Sequence, residues 1–497
     1  MQVNDLIKEI DVLNNINVEG MGISGISYHS GKVEKGHLFV CVKGYKTDGH
    51  KYLKDAVTRG AVIAVVEKLQ QDVDIPQIIV ENSRIALARL GAAFYGYPST
   101  KMNMIGITAT NGKTTTSYMA NAILENEGKR TGLIGTVTIK NGEKAIPAEL
   151  TTPESLDLQK YLSEMVENDV SHVTMEVSSA ALELHRVEKV DYDIVTLNNM
   201  SREHMEMHGT FESYYKVKSS LIRNASEKSV AILNLDDQYS ASLVNETKAQ
   251  VISFGIENKN GHIHCRDLDL TTGRGKFTVE IREGFTANGI EYKPGEFKVE
   301  LAVPGLHSVY NAMVAIIIGL LSGVSIKTIQ NTLKEFAGVP RRFEFIYEDE
   351  FKVVDDHFAN PGNINVTLQT LDFMKYNNLH LVYAIRGQRG ATINRENAEV
   401  VVDWASNLGL KELIATRSVS NTTSKDEVTD DEVQAFLDVM SKANIKVRLY
   451  DELSDAIEDG INQAKRNDLV LLAGCQGMDD GPEIALKLLK RENVEVR

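Results

Sequence analysis

Cysteine is scarce in this chain: only Cys41, Cys265 and Cys475 occur, widely spaced. An odd, dispersed set excludes a disulfide framework and fits a reducing compartment. Proline is also rare, with 9 residues in 497, and 36 glycines show no repeat, so fibrous and low-complexity classes are excluded. Positive charge is in deficit. Asp and Glu number 69 against 54 Lys and Arg, a net charge of -15. Such a chain lacks the positive field that non-specific nucleic-acid binding needs, so anionic ligands must be met by a few placed cations and backbone N–H groups. Long apolar runs are missing too. The longest, AMVAIIIGLLSGV after Asn311, is too short to span a bilayer and reads as a buried helix. The opening MQVNDLIKEIDVLNNI carries early acids and no apolar stretch of a signal peptide. The expectation is a cytoplasmic monomer with neither membrane nor nucleic acid as partner.

What is present is ordinary globular composition, 42% hydrophobic and 25% charged, over a length that allows about three domains. Residues 1–102 read as a small mixed domain ending in the linker-like YGYPSTKMN. Over 103–338 the short Val- and Ile-rich runs MIGITAT, HVTMEVS, DIVTLNN and SVAILNL alternate with helical periods, as buried parallel strands do. Alternating HIHCRDLDL, GKFTVEI and EFKVELAV within 260–303 predict an antiparallel insertion, and helices are predicted over 307–322 and 325–336. From 339 to 497 a hairpin-like FEFIYEDEFKVVDD precedes HLVYAI, ELIAT, KVRLY and LVLLAG, which alternate with helices. The fold class is therefore α/β in three domains: a central ATPase-like domain with a mostly parallel sheet, and a C-terminal doubly wound domain.

The strongest local signal is MIGITATNGKTTT at 104–116. A strand runs into a glycine-containing loop, then Lys113 and Thr114 open a helix. Inward N–H groups, a helix N-terminus, a lysine for the β/γ-phosphates and a hydroxyl for Mg²⁺ are the parts of a phosphate site. The strict G-x-x-x-x-G-K-T spacing is missed by one residue, because Gly106 lies six before Gly112. Glu176 closes the buried run HVTMEVS, where a carboxylate is costly unless a cation meets it. His204 and His208 sit four apart after a buried strand, a spacing that suits a metal but is commoner on a helix surface. HIHC at 262–265 resembles a metal cluster, yet strand alternation puts Cys265 on the face opposite His262 and His264.

Taken in order, these segments resemble the Mur ligase superfamily. The carriers are GITATNGKTT, TTPESLDL, MEVSSAALELHRV, NNMSREHMEMHG, PGLHSVYNAMVA and GVPRRFE, together with an N-terminal GHLFVCVKGYKTDGHKYLKDAVTRGAVIAVVE that is most similar to the type adding the third peptide residue. The resemblance runs well from about residue 20 to 365 and thins beyond. It implies that Thr110, Asn111, Gly112, Lys113, Thr114 and Thr115, with Asn311, Arg342 and Asp356, contact ATP. It implies Mg²⁺ at Thr114, Glu176 and His204. It also implies that Lys218 is carbamylated and becomes an anion holding a second magnesium. Thr47, Asp48, Thr151, Thr152, Ser179 and Arg186 would then hold a UDP-sugar-peptide. The implied reaction activates a carboxylate as an acyl phosphate and couples it to an amino acid, in peptidoglycan precursor synthesis.

Several segments depart from the family pattern. Ala109 replaces a loop glycine, and ISYHSGKV stands where a D-S-R-x-V run is usual. DHFANPGNI replaces D-Y-A-H-x-P, AIRGQRGATINRE replaces a glycine-rich GxGGDRD run, and CQGMDDG replaces a G-K-G-H-E-like end. The D-N-P-R motif that reads diaminopimelate or lysine is absent, and ATRSVSN occupies that region, with Arg417 the nearest candidate for the amino acid's carboxylate and Arg386 and Arg389 as alternatives. The departures leave two substrate readings: a muramyl-peptide ligase, or a ligase of the same chemistry acting on another carboxylate, as folylpolyglutamate and cyanophycin synthases do. A nucleotide-binding interaction protein without catalysis is disfavoured by retention of Lys113, Glu176, His204 and Lys218.

Overall fold

The computed structural model describes residues 1–16, 18, 20–44, 47–201, 208–339 and 341–495. The chain forms two compact units. One comprises 1–264 with 281–294 and 314–328, and the other comprises 265–280, 295–313 and 329–497.

The first unit contains two large sheets, besides a small two-stranded one. The N-terminal sheet runs Val12–Ile16, Gln77–Val80, Ala61–Val66, His37–Val40, Gly25–Ser27, with only the first pairing antiparallel. The central sheet places the strand Asn103–Thr108 between Ile194–Leu197 and His172–Glu176, all parallel. Val230–Asn234 and Gln250–Gly255 extend it on one side in parallel, and Thr131–Ile134 does so on the other. Beyond Thr131–Ile134 the sheet turns antiparallel through Thr138–Asn141 and Lys144–Pro147. Every residue of His172–Glu176 and of Ile194–Leu197 is buried, which is why these strands read as continuous apolar runs. The parallel arrangement brings several carboxyl ends together, where α/β sheets bind ligands.

The two sheets of this unit are joined by helix packing. Helix Ser83–Phe94 runs against helix Ser155–Glu167, and Leu156 of the latter is buried in the N-terminal core. A β-carbon at Gly91 would lie 3.3 Å from the Leu156 side chain, so the missing side chain permits the approach. Helix Ser155–Glu167 thus contributes Leu156 to the N-terminal core within this unit.

The segment expected as an antiparallel insertion contains strands Ile263–Asp269, Arg274–Ile281 and Gly295–Pro304, and a small antiparallel pair, Phe285–Ala287 with Ile290–Tyr292. Helices Leu306–Leu321 and Ile326–Glu335 follow, near the predicted spans.

In the second unit the order is Glu344–Glu348, Lys352–Asp356, Leu469–Ala473, Leu379–Ala384, Glu412–Thr416, Lys446–Tyr450. The first pair is antiparallel and the rest are parallel. Alternate residues feed two cores. Leu381, Tyr383, Leu469 and Leu471 pack on one face with Phe436 and Val401, while Val382, Val470 and Leu472 pack on the other with Ile457 and Leu489. A sheet covered on both faces is the doubly wound arrangement the alternation predicted.

Candidate functional site

The phosphate-type loop lies between the strand Asn103–Thr108 and the helix Lys113–Asn126. Gly112 caps that helix at φ +87°, a left-handed conformation that costs a side-chain-bearing residue about 1–2 kcal/mol. Ala109 is not among the residues with positive φ. Its replacement of the family's glycine therefore brings no backbone strain. The loop is fastened to its neighbours. Asn111 N donates to Asn199 Oδ1 at 3.0 Å, Asn199 Nδ2 returns a bond to the Asn111 carbonyl at 2.9 Å, and Ser201 N donates to Thr110 Oγ1 at 3.0 Å. Thr115 lies in the helix's first turn.

Two lysines converge on this loop. Lys113 Nζ donates to the carbonyls of Ala109 at 2.8 Å and Thr110 at 3.1 Å. Lys218 Nζ reaches the same Ala109 carbonyl at 2.5 Å and lies 5.3 Å from the centre of the Tyr214 ring. Lys218 sits on helix Phe211–Arg223, whose N-terminus Thr210 caps through Ser213 N. It is 1% exposed, an unusual position for a lysine.

Glu176 ends its strand at 0% exposure, and its carboxylate is met from several sides. Thr114 Oγ1 donates to Oε2 at 3.0 Å, Thr136 Oγ1 donates to Oε2 at 3.1 Å, and Thr136 N donates to Oε1 at 2.9 Å. Thr136 Oγ1 also bonds to Thr151 Oγ1 at 3.1 Å. A chain of oxygens thus runs from the phosphate-type loop to Thr151. Thr136 was not singled out in the sequence. The available signal was a Gly-Thr pair just past the end of the strand Thr131–Ile134, beside the strand that ends at Glu176. A β-carbon at Gly135 would collide with Glu176 Oε1, so glycine there is what allows the carboxylate its place. The Thr114 hydroxyl and Glu176 carboxylate are hard oxygen donors that fit magnesium. His204 lies outside the described residues. His208 is buried, 3.4 Å from Glu183 Oε2, with its ring centre 5.2 Å from that of Tyr214 and the two planes tilted.

Next to this chain, Thr152 Oγ1 donates to the Glu176 carbonyl at 2.8 Å and accepts from Ser178 N at 3.1 Å. Ser179, buried, begins the helix Ser179–Glu183. Arg186 donates to the Thr152 carbonyl at 3.1 Å. In the N-terminal sheet's loops, Thr47 donates to the Tyr52 hydroxyl at 3.1 Å, and Asp48 accepts from His50 N at 3.0 Å and meets the His50 ring at 2.6 Å. Burial raises Asp48, but the His50 ring and backbone outweigh it and leave the carboxyl below its usual range.

The second unit holds the remaining residues. Asn311 is buried on helix Leu306–Leu321. Arg342 donates to the Arg341 carbonyl at 3.1 Å. Asp356 accepts from Phe343 N at 2.7 Å and from the Thr367 hydroxyl, so both oxygens are engaged. Arg341, which the sequence reading passed over for its neighbour, pairs with Asp355 at 3.2 Å and with Asp479, and donates to the Gly474 carbonyl at 2.7 Å. Burial, then Arg342, Arg341 and Arg386, push His357 down to about 3, which marks a cationic neighbourhood. Arg386 donates to the Ala359 carbonyl, and Arg389 pairs with Asp426 at 3.3 Å. Arg417 pairs with Asp430 at 2.8 Å and lies 3.8 Å from Asp451. Back in the first unit, in the HIHC segment, His262 Nδ1 bonds to Ser253 Oγ at 2.9 Å and His264 Nε2 to the Ile256 carbonyl at 3.2 Å. Among the described residues no group of three His, Cys, Asp or Glu could hold a metal.

Three family models match the chain: the Mur ligase family catalytic domain over 22–95, the Mur ligase middle domain over 107–319, and the Mur ligase glutamate ligase domain over 341–476. Similar curated proteins include the UDP-N-acetylmuramoyl-L-alanyl-D-glutamate–2,6-diaminopimelate ligases of Caldanaerobacter subterraneus and Bacillus velezensis. The first is 32% identical over 95% of this chain and 94% of its own, the second 35% identical over 95% and 93%. A solved structure of a ligase with that same name is 22% identical, with a TM-score of 0.70 over 98% of this chain and 99% of the other. The MurF ligase of Thermotoga maritima in complex with ADP is 20% identical, with a TM-score of 0.61 over 95% and 98%.

Proposed function

The chain belongs to the Mur ligase family and is an ATP-dependent, ADP-forming amide ligase, and on that premise we propose that it adds an amino acid to the carboxylate of a UDP-N-acetylmuramoyl peptide in peptidoglycan precursor synthesis. The observation that carries this reading is the oxygen chain Thr114–Glu176–Thr136–Thr151, which links residues assigned here to the nucleotide and its magnesium with one assigned to the peptide substrate.

The chemistry has two steps. A carboxylate oxygen of the peptide attacks the γ-phosphorus of ATP, the bond to the β-phosphate oxygen breaks, and ADP leaves with that electron pair. The amine of the amino acid then attacks the acyl carbon of the acyl phosphate, gives up a proton, and expels phosphate. Negative charge crowds the first step, and placed positive groups lower its barrier. Lys113, the loop N–H groups and the helix N-terminus serve that role. The Thr114 hydroxyl and Glu176, with His204 by resemblance, would hold magnesium, which would supply further charge neutralisation at the phosphates.

Lys218 is read as a carbamate, formed when its neutral amine adds to carbon dioxide and releases a proton. Its burial beside the loop supports this, since a buried ammonium is costly and a carbamate offers hard oxygens at the same place. Thr47, Asp48, Thr151, Thr152, Ser179 and Arg186 are assigned to the UDP-sugar-peptide. Asn311, Arg342 and Asp356 are assigned to the nucleotide.

The amino acid is read in the second unit, in a manner unlike the diaminopimelate ligases. Where those have D-N-P-R, this chain has Arg417, held by two acids, and Ser418 at φ +55°. Replacing Lys113 with alanine tests the phosphate site. Ligation should fall by on the order of 10²-fold or more with the fold retained, and near-normal turnover would refute the assignment.

A further inference from the structure

Arg84 and Glu154 belong to no part of the site described so far, yet they join its two halves. Arg84 Nε donates to the Lys43 carbonyl at 3.0 Å, at the root of the loop that carries Thr47 and Asp48. Its Nη1 donates to Glu154 Oε2 at 3.2 Å. The other oxygen of Glu154 accepts from Arg186 Nη2 at 2.7 Å, and Arg186 Nη1 holds the Thr152 carbonyl at 3.1 Å. All three side chains are largely buried, at 14%, 18% and 12% exposure for Arg84, Glu154 and Arg186.

The simplest structural duty for Glu154 would be to cap the helix Ser155–Glu167 that it precedes. Its side chain makes no capping bond there. The carboxylate is given wholly to the two arginines. A second contact holds the same helix: the Tyr28 hydroxyl donates to Asp157 Oδ2 at 2.5 Å, one turn further along. Burial and the Asp157 carboxylate both push the Tyr28 phenol up, so it stays a donor at every physiological pH. Tyr28 lies in ISYHSGKV, where the family's D-S-R-x-V run is missing.

One carboxylate between two guanidiniums leaves a net positive charge, and it fixes both partners at once. If Glu154 lets go, Arg186 loses the group that aims it, and the Lys43 backbone loses its tie to the Thr151–Thr152 segment. Charge-assisted bonds of this partly buried kind are the stronger ones.

We propose that Glu154, clamped between Arg84 and Arg186, is the positioning residue that sets the two halves of the anionic nucleotide-sugar site in register, with Arg84 as its second anchor. This rests on the assignment of that substrate to the first unit. The clamp acts on binding of that substrate and leaves the phosphoryl-transfer groups in place.

The test is steady-state kinetics of the full chain with ATP, a UDP-N-acetylmuramoyl dipeptide and an amino acid, for the parent protein, Arg84→Met, Glu154→Gln and the double variant, with thermal unfolding of each. Each single variant should raise KM for the UDP substrate on the order of tenfold, with kcat and the KM for ATP changed about twofold or less. The double variant should be no worse than the poorer single, because both break one clamp. Glu154→Asp, which keeps the charge but shortens the reach, should fall between parent and Glu154→Gln, and it serves if the larger change disturbs folding. An unchanged KM for the UDP substrate in folded variants overturns the proposal, as does an equal rise in the KM for ATP. Parent protein that turns over no muramyl peptide defeats the substrate reading instead, which keeps the two failures apart.

Discussion

Asp355 lies at the end of a buried strand, with Arg341 against one carboxylate oxygen and no hydrogen-bond partner for the other among the described residues. Burial, helped by Asp356 and Glu344 and opposed by Arg341, raises it from 3.8 to about 7. A carboxyl whose folded value lies above its unfolded one binds its proton more tightly when folded. Its contribution to stability is complete below the unfolded value and is lost as pH rises through about 7. Thermal unfolding of the parent chain should therefore show a midpoint that declines between about pH 4 and about pH 7 more steeply than that of Asp355→Asn. Parallel pH profiles for the two proteins would remove Asp355 as the cause. At this same scale the sequence was legible where one residue type has few uses. Gly112, Lys113, Thr114 and Glu176 stood out because glycine, lysine, hydroxyl and buried acid each carry a constraint. Thr136, Arg84 and Glu154 did not. Their significance comes from partners 40, 41 and 32 positions away, Glu176, Lys43 and Arg186, and no local pattern encodes such pairings.

Helix Phe211–Arg223 turns a sequence pattern into a site. Its buried residues Tyr214, Lys218, Leu221 and Ile222 recur at helical spacing, so Lys218 occupies a core position on the face turned toward the phosphate-type loop. Composition alone would have made it a surface lysine, and only the family resemblance singled it out. Lys218→Ala should lose activity by on the order of 10²-fold and regain part of it with added short carboxylates, which replace the lost oxygens. Activity that survives the substitution without any rescue agent would refute the carbamate. Strands and helices were largely readable because their burial is extreme: buried parallel strands appear as apolar runs, and amphipathic helices show period 3.6. The helix Ser155–Glu167 was visible as a helix, but its sharing of Leu156 with the N-terminal core was not, since packing partners are set by tertiary structure.

Across the whole molecule, the identity of the fold follows from three matched segments spread over 22–476 and from relatives aligned along 95% of the chain. The N-terminal sheet carries the Thr47–Asp48 loop, the central sheet carries the phosphate-type loop with Glu176 and Lys218, and the C-terminal sheet carries the Arg341–Arg342–Arg386 neighbourhood of His357. The net charge of -15 makes such local cationic sites necessary for anionic substrates. The residues proposed to read the amino acid were the least legible, because the C-terminal segments GxGGDRD, D-N-P-R and G-K-G-H-E are all replaced here. The central claim is tested most directly by phosphate release from ATP in the presence of UDP-N-acetylmuramoyl dipeptide, screened over single amino acids. Release should require both the dipeptide substrate and one amino acid, with ADP formed in equal amount and no strong preference for meso-diaminopimelate. Absence of dipeptide-dependent release with any amino acid, while a different carboxylate supports turnover, would contradict the muramyl-peptide assignment, and a strong preference for meso-diaminopimelate would contradict the reading of the pocket.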